Sequence, residues 1–226
     1  MPAGFQVFND YNVIQIDADY RNYHLVRAGQ FNTGSGDFAN INMAGLTQNA
    51  IWALIPQSYP GMSPHTGGFW NGQKWFQYWF ANTIAAVNVQ YYIFDLVNPI
   101  GGTRSGLEVY DAAGRLVFDS SGMSMRVAGT FWSASGGNDN LINIPAGKNY
   151  ALTPLQGGRW EQDDGVGGDF EARSSYFYKE GQQFKFWQYY VTDPIGGGPD
   201  SPYDWGMTEM YGLIVDVTGM PANYYR

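Results

Sequence analysis

Glycine interrupts most windows of this 226-residue chain that are long enough to form an α-helix. The chain has 30 glycines, and a glycine inside a helix costs about 1 kcal/mol relative to alanine. Glutamate occurs five times and never within the first hundred residues. Short runs of β-branched and aromatic residues recur between turn residues, as in 5–16 and 107–118. The sequence therefore predicts an all-β fold with little helix.

An internal repeat subdivides this fold. Residues 4–17 (GFQVFNDYNVIQID) align without a gap with residues 106–119 (GLEVYDAAGRLVFD), and both segments have the pattern of a β-hairpin. Four shorter matches follow in the same order: 28–31 with 128–131, 67–70 with 157–160, 98–102 with 193–197, and 106–109 with 212–215. The repeat predicts two tandem β-sandwich units, at residues 1–103 and 104–226. The second unit carries an insertion at 198–211, which we expect to form a loop.

Composition excludes several functional classes. The absence of cysteine excludes a disulfide scaffold, a thiolate metal site and a cysteine nucleophile. The net charge of −8 and the lack of basic runs argue against nucleic-acid binding, which needs clustered lysine and arginine. Apolar runs fall far short of the roughly 20 residues of a membrane helix, and the first residues lack a secretory signal pattern. We expect no membrane insertion.

Two sets of acidic residues are candidate sites. Asp163, Asp164 and Asp169 lie in a glycine-rich segment that could hold calcium, although the spacing does not match an EF-hand. Glu161 and Glu171, with Asp163 and Asp169, could supply paired carboxylates for glycoside cleavage, but nothing in the sequence fixes their separation. A solvated surface loop is the favoured interpretation of the segment, and calcium is a weak candidate.

Nucleophile and base motifs are missing from the sequence. Neither of the two histidines, His24 and His65, accompanies a Gly-x-Ser-x-Gly elbow, and the glycine pairs lack the context of a phosphate loop. Surface or packed positions suit both histidines better than catalysis. We therefore expect a protein that is not an enzyme and has no cofactor.

Aromatic residues cluster in two stretches, at 70–80 and 160–190. In strands, alternate members of such runs face opposite sides, so one side can fill a core while the other meets a partner or a ligand. Burial on both sides is an equally good interpretation. The stretch from 160 to 205 is expected to contribute a contact, with four candidate residues: Trp160, Tyr203, Asp204 and Trp205.

The opening segment, residues 4–26 (GFQVFNDYNVIQIDADYRNYHLV), resembles the start of a group of small virion proteins of tailed bacteriophages. The shared features are Gly-aromatic-x-Val-aromatic-Asn, a turn, an Ile-Gln-Ile-Asp strand, a Tyr-x-Asn step and a further apolar strand. Residues 106–120 resemble the same module in a form common in phage tails. The resemblance covers about the first thirty residues. It implies a protein encoded among tail and tail-fibre genes, and it brings no catalytic or binding residues.

These observations favour a structural or host-attachment component of a phage tail, located in the virion and acting through protein–protein interfaces. The expected partners are other tail proteins, in a symmetric homo-oligomer, and a bacterial surface glycan is a further candidate ligand. The alternative is a lectin-like β-sandwich module that binds a cell-surface carbohydrate. An enzyme such as a glycan hydrolase is the least favoured of the three classes.

Overall fold

The computed structural model of the chain describes residues 6–8, 10, 12, 14–17, 21–33, 46, 47, 49–59, 61, 63–71, 74–82, 85–96, 106–133, 141–156, 159–163, 170–193, 205–207 and 209–225. These residues form β-strands joined by turns, and none of them is helical. The prediction of an all-β fold is therefore confirmed. The predicted boundary between residues 103 and 104 lies outside the described residues.

Eighteen strands make up the described part of the chain. Those before residue 100 are β1 (Gln6–Phe8), β2 (Ile14–Asp17), β3 (His24–Asn32), β4 (Ile51–Pro56), β5 (Ser63–Asn71), β6 (Lys74–Asn82) and β7 (Asn88–Asp95). Those after it are β8 (Glu108–Tyr110), β9 (Leu116–Asp119), β10 (Val127–Ser133), β11 (Leu141–Asn143), β12 (Tyr150–Gln156), β13 (Arg159–Asp163), β14 (Phe170–Glu180), β15 (Gln183–Asp193), β16 (Trp205–Met207), β17 (Met210–Asp216) and β18 (Tyr224–Tyr225).

The strands form two larger antiparallel sheets and three hairpins. The first sheet has seven strands in the order β10-β17-β12-β4-β7-β3-β18. The second has five strands in the order β11-β15-β14-β13-β16. The pairs β1–β2, β5–β6 and β8–β9 are separate two-stranded ladders. Strands from both halves of the chain thus share the seven-stranded sheet.

One hydrophobic core joins the two larger sheets. Leu54 and Leu152 of the seven-stranded sheet and Phe177 of the five-stranded sheet belong to a single buried cluster. The rings of Phe131 and Phe186 meet across the sheets with their centroids 5.5 Å apart. Strand β4 is buried along almost its whole length, as expected for a central strand covered on both faces. The arrangement is a layered, sandwich-like packing.

The repeated hairpins have the same register. In the first hairpin Val7 pairs with Ile16, and in the second Val109 pairs with Phe118, which is the same pair displaced by the offset of the sequence alignment. Each ladder also has an irregularity directly after that valine. Ile16 packs against the small core of the second hairpin. The longest match of the internal repeat therefore corresponds to equivalent local structures.

The seven-stranded sheet has an approximate twofold relation at its centre. Strand order β4-β7-β3 on one side corresponds to β12-β17-β10 on the other, and β4 meets β12 in an antiparallel pair. A single row of paired residues crosses all six strands: Gly29, Tyr91, Leu54, Leu152, Ile214 and Gly129. The match of 28–31 with 128–131 thus falls on equivalent strands in an equivalent register.

Three sequence expectations need correction or refinement. Two separate sandwich units are not shown, because both halves of the chain contribute to one sheet and one core. The match of 106–109 with 212–215 does not relate equivalent strands, since β8 belongs to a hairpin and β17 lies inside the large sheet. Within the insertion, residues 205–207 form strand β16, which pairs with β13 and so extends a sheet.

Substitution of Leu54 tests whether the two halves of the chain share one core. We expect Leu54→Ala to lower the free energy of unfolding by about 2–5 kcal/mol, because it leaves a cavity at a fully buried position. Denaturant unfolding followed by near-ultraviolet circular dichroism should keep one cooperative transition. Leu141→Ala, at a half-exposed position, should change stability by no more than about 0.5 kcal/mol. Separate transitions for the two halves in the Leu54 variant would contradict the shared core.

Candidate interaction surfaces

The predicted contact residues are only partly described by the structure. Trp160 lies on β13 and Trp205 on the neighbouring strand β16, where Glu161 pairs with Trp205 and Trp160 pairs with Gly206. The fold therefore brings the insertion beside the strand that carries Trp160. Tyr203 and Asp204 lie outside the described residues.

The acidic candidates are similarly divided. Asp163 ends β13, whereas Asp164 and Asp169 lie outside the described residues. Glu161 and Glu171 lie on adjacent strands, one register step apart, and their side chains are outside the described part. Among the described residues, no group of three or more possible ligands is placed to hold a metal ion. A search of the same residues finds no helix with the length and apolar character needed to cross a membrane.

His24 is a buried residue at the start of β3. Its Nδ1 lies 2.9 Å from the carbonyl oxygen of Asn22, and its ring centroid is 6.3 Å from that of Phe118. Gly122 approaches the same ring so closely that an added Cβ would lie 2.7 Å from it. His24 therefore packs between the start of the sheet and the second hairpin. His65 is on β5, and its side chain lies outside the described part.

Three large apolar side chains are exposed on neighbouring strands at one end of the seven-stranded sheet. Trp132 of β10 is 60% exposed and pairs directly with Tyr211 of β17, which is 43% exposed. Leu155 lies in the β12 irregularity, next to Gln156, which pairs with Tyr211, and it is 57% exposed. Glu209 accepts a hydrogen bond from the Trp132 indole at 3.0 Å, which orients the ring. We call Trp132, Tyr211 and Leu155 the Trp132 patch.

A second aromatic group lies on the five-stranded sheet. The Trp187 ring packs against the fully buried Tyr176 on the paired strand, with centroids 5.0 Å apart. Tyr59 packs against Trp187 at 5.2 Å and meets Tyr178 edge-on at 5.6 Å. Tyr59 is 62% exposed, whereas Trp187 and Tyr178 are half-buried. We call Tyr59, Tyr176, Tyr178 and Trp187 the Tyr59 stack.

A glycine holds the turn that carries Tyr59 against the sheet. Gly61 is buried with a φ of +79°, in the left-handed region that favours glycine. Its Cα faces the backbone of β14 so closely that a Cβ would lie 2.2 Å from the carbonyl oxygen of Phe177. The Gly61 amide also donates to the Ser58 carbonyl at 2.9 Å. The Tyr59 ring is therefore presented from a fixed turn.

A cavity of about 750 Å³ lies between the repeated hairpins and the large sheet. Ile16 and Phe118, from equivalent positions of the two hairpins, border it together with Met123, Met125 and Met220. The lining is mainly apolar, with charged groups at one side. An apolar cavity with few polar groups has the general character of a small-ligand site.

The charged side of this cavity centres on Asp216. Its carboxylate accepts from the Lys148 ammonium at 3.0 Å and from the Thr218 amide at 2.8 Å, and Arg126 lies 3.8 Å away. Burial opposes ionisation of Asp216, but the hydrogen bonds from Thr218 and Lys148 and the Arg126 charge outweigh it and lower the pKa of the carboxyl. The same hydrogen bond and ion pair raise the pKa of Lys148.

Comparisons of the chain with protein-family models, with curated proteins and with solved structures find no match in any of the three.

The sequence interpretation missed the Trp132 patch. The alternation of side chains along β10 could have predicted it, because successive residues of a strand face opposite sides. In residues 127–133 (VAGTFWS), Phe131 and Ser133 are buried, whereas Thr130 and Trp132 are exposed. The Tyr59 stack had no comparable signal, since Tyr59 and Trp187 come from opposite halves of the chain. The aromatic stretch 70–80 lies mainly on β5 and β6, whose side chains are outside the described part.

Asp216 gives a pH-dependent prediction. Because its folded-state pKa is lowered, its contribution to stability is present above about pH 4 and is lost as the pH falls through the folded value. We expect Asp216→Asn to cost about 1–2 kcal/mol at pH 6, with the difference from the unmodified chain shrinking below about pH 4. Urea unfolding across this range measures it. Asp10→Asn, at an exposed carboxylate beside the same cavity, should cost no more than about 0.5 kcal/mol. A pH-independent cost at Asp216 would contradict the argument.

Proposed function

We propose that this protein is a structural or host-attachment component of a bacteriophage tail that acts through protein–protein interfaces. The observation that carries the proposal is the Trp132 patch. Exposed aromatic side chains are normal when they are scattered singly. Three large apolar side chains on adjacent strands are different, because contiguous exposed apolar surface is characteristic of interaction sites.

The composition of the patch suits a protein partner. Tryptophan and tyrosine are enriched at the energetic centres of protein interfaces, since they combine a large apolar area with a polar group. Trp132 already directs its indole N–H to Glu209, so covering the ring would leave no donor unpaired. Burying such a large apolar side chain contributes about 1.5–3 kcal/mol. These features support an interface.

The choice of a phage tail rests on the resemblance of residues 4–26 to small virion proteins and on its recurrence at 106–120. The shared hairpin register shows that both segments form the same structural module. A cysteine-free chain also suits assembly in a reducing cytoplasm. The proposal places the protein in the virion, among other tail proteins, in a symmetric homo-oligomer. It assigns no catalytic activity and no cofactor.

Particle association is the direct test. In a phage whose genome encodes this chain, we expect the protein in purified particles at a fixed ratio to the other tail proteins, measured by quantitative mass spectrometry. The double variant Trp132→Ala, Tyr211→Ala should lower its incorporation at least about tenfold, because two interface aromatics each worth more than about 1 kcal/mol are removed. Both positions are exposed, so the variant should fold normally.

Leu141→Ala is the matched control, since it removes an exposed apolar side chain from β11 of the other sheet. Incorporation of this variant should be unchanged. Particles that lack the unmodified protein would overturn the tail assignment. Normal incorporation of the double variant would show that the Trp132 patch is not the surface that contacts the other tail proteins.

Carbohydrate binding is the second candidate function, and the Tyr59 stack favours it. Sugar rings pack on the faces of exposed aromatic side chains, and a ring held rigidly by its neighbours loses little entropy on binding. The Tyr59 ring packs against Trp187, and Trp187 packs in turn against the buried Tyr176. Lys185 and Glu180, which pair with each other beside the stack, supply polar groups. The proposed ligand is a bacterial surface glycan.

Removal of the Tyr59 ring should abolish this binding. On an array of bacterial surface polysaccharides, we expect Tyr59→Ala to weaken any glycan signal at least about tenfold, since the exposed stacking surface is lost. Tyr110→Ala is the control, because it removes another exposed tyrosine, from the separate β8–β9 hairpin. Equal binding by the two variants, or binding by neither the unmodified chain nor the control, would exclude the Tyr59 stack as a glycan site.

A further inference from the structure

We propose that a polar cavity between the two larger sheets binds one acidic sugar residue, a hexuronate, through its hydroxyl groups and its carboxylate. The cavity has a volume of about 340 Å³, at the small end of the roughly 300–1,000 Å³ that ligand sites in proteins occupy. None of the residues of the Trp132 patch or the Tyr59 stack lines it. The inference therefore adds a separate binding site, and it rests neither on the tail assignment nor on the Tyr59 stack.

The strand register brings the polar residues of this cavity to one face of the seven-stranded sheet. Gln90 of β7 pairs with Ile55 of β4, so their side chains lie on the same face. The Gln57 amide donates to the Asn88 carbonyl at 2.9 Å, which continues this ladder beyond the end of β4. Since strand residues two apart face the same side, Gln57 and Tyr92 share the face of Gln90. All four line the cavity except Asn88, which belongs to the neighbouring ladder position.

The opposite wall comes from the five-stranded sheet. Lys179 of β14 lies two residues after the fully buried Phe177, which belongs to the common core, so Lys179 is on the face turned toward the other sheet. Asn149, directly before β12, completes the polar lining. The cavity is therefore at the end of the sandwich-like packing where β14 turns into β15.

Gln90 has a buried hydrogen-bond acceptor without a partner. The residue is 4% exposed. Its Nε2 donates to the carbonyl oxygens of Ala222, at 2.9 Å, and Tyr91, at 3.3 Å, which fixes the orientation of the side-chain amide. Within the described part of the chain, nothing donates to Oε1. Because buried polar groups are in most cases hydrogen-bonded, this oxygen requires a donor, which a ligand hydroxyl supplies.

Lys179 makes the cavity electropositive. Among the described residues, its ammonium has no carboxylate partner, and none of those that line the cavity is acidic. Glu180, the next residue, faces the other side of β14 and pairs with Lys185. In a chain of net charge −8, an unpaired cation at a cavity attracts an anionic group.

These two requirements together select the ligand. Gln90 Oε1 requires a donor, and Lys179 requires an anionic acceptor. Acetate offers acceptors only, and a neutral sugar offers hydroxyl groups without a charge. A hexuronate has both. Its other hydroxyl groups suit the side-chain amides of Gln57 and Asn149, because amides and hydroxyls can each donate and accept.

Titration with D-glucuronate tests the site. In ¹H–¹⁵N NMR spectra of the full chain, we expect glucuronate to shift the side-chain amide signals of Gln57, Gln90 and Asn149. Its dissociation constant should be at least about tenfold lower than those of D-glucose and acetate, because each of these lacks one of the two required groups.

Variants of the cavity separate the contribution of charge from that of shape. Lys179→Gln should raise the glucuronate dissociation constant at least about tenfold and leave that of glucose unchanged, since only the charge is removed. Gln57→Glu, at an exposed position, should also weaken glucuronate binding because it introduces a like charge. Arg115→Gln is the matched control, since it removes one positive charge from the separate β8–β9 hairpin, and it should leave binding unchanged. Circular dichroism confirms that each variant is folded.

The absence of glucuronate-induced shifts at the solubility limit of the sugar would overturn the inference. So would affinity for glucuronate no higher than for glucose and acetate, or an affinity that Lys179→Gln and Gln57→Glu both leave unchanged. These results are separate from the proposed function. Glucuronate binding by a chain that is missing from particles contradicts only the tail assignment, whereas a particle protein that does not bind glucuronate contradicts only this site.

Discussion

The pairing of β4 with β12 is the contact on which the rest of the structure depends. Leu54 and Leu152 meet there, and both are fully buried. Without this pair, each half would expose a central strand whose backbone groups and apolar side chains would both face water. Because the pairing is antiparallel and joins equivalent strands, it creates the approximate twofold relation of the sheet. The common core with the five-stranded sheet follows from it.

Two buried carboxylates lie at the ends of strands and accept hydrogen bonds from the neighbouring turns. Asp95, at the end of β7, accepts hydrogen bonds from the Thr47 backbone and hydroxyl and from the Leu96 amide. Asp119, at the end of β9, accepts from the amide and hydroxyl of Ser121. Both side chains are fully buried. The hydrogen bonds of Asp95 use both carboxylate oxygens and offset the cost of desolvation, whereas those of Asp119 all go to Oδ1, and its Oδ2 has no hydrogen-bond partner among the described residues. These acidic residues fix turns beside the sheets, a role that needs no substrate.

Local features of the fold could be predicted from sequence, whereas its long-range pairing could not. The hairpins at 4–17 and 106–119 were predictable because turn residues and alternation specify them locally. The order of the large sheet depends on packing between distant segments. Residues 52–56 (WALIP) and 150–154 (YALTP) do carry a matching pattern at the central strands, which the sequence comparison missed. Trp132 was likewise readable from alternation, but the Tyr59 stack required the tertiary fold.

A sheet built from two equivalent halves has two equivalent outer strands, and each can pair with another chain unless it is covered. If β3 and β10 were both open, each copy of the chain could pair at two edges, and such pairing propagates into open filaments. β18 closes one of them. Arg27 lies over the ring of Tyr225 at 4.8 Å, and Gln90 donates to the Ala222 carbonyl at 2.9 Å, so the last residues are held on the sheet. β18 thereby protects the β3 edge of the sheet from pairing with another chain.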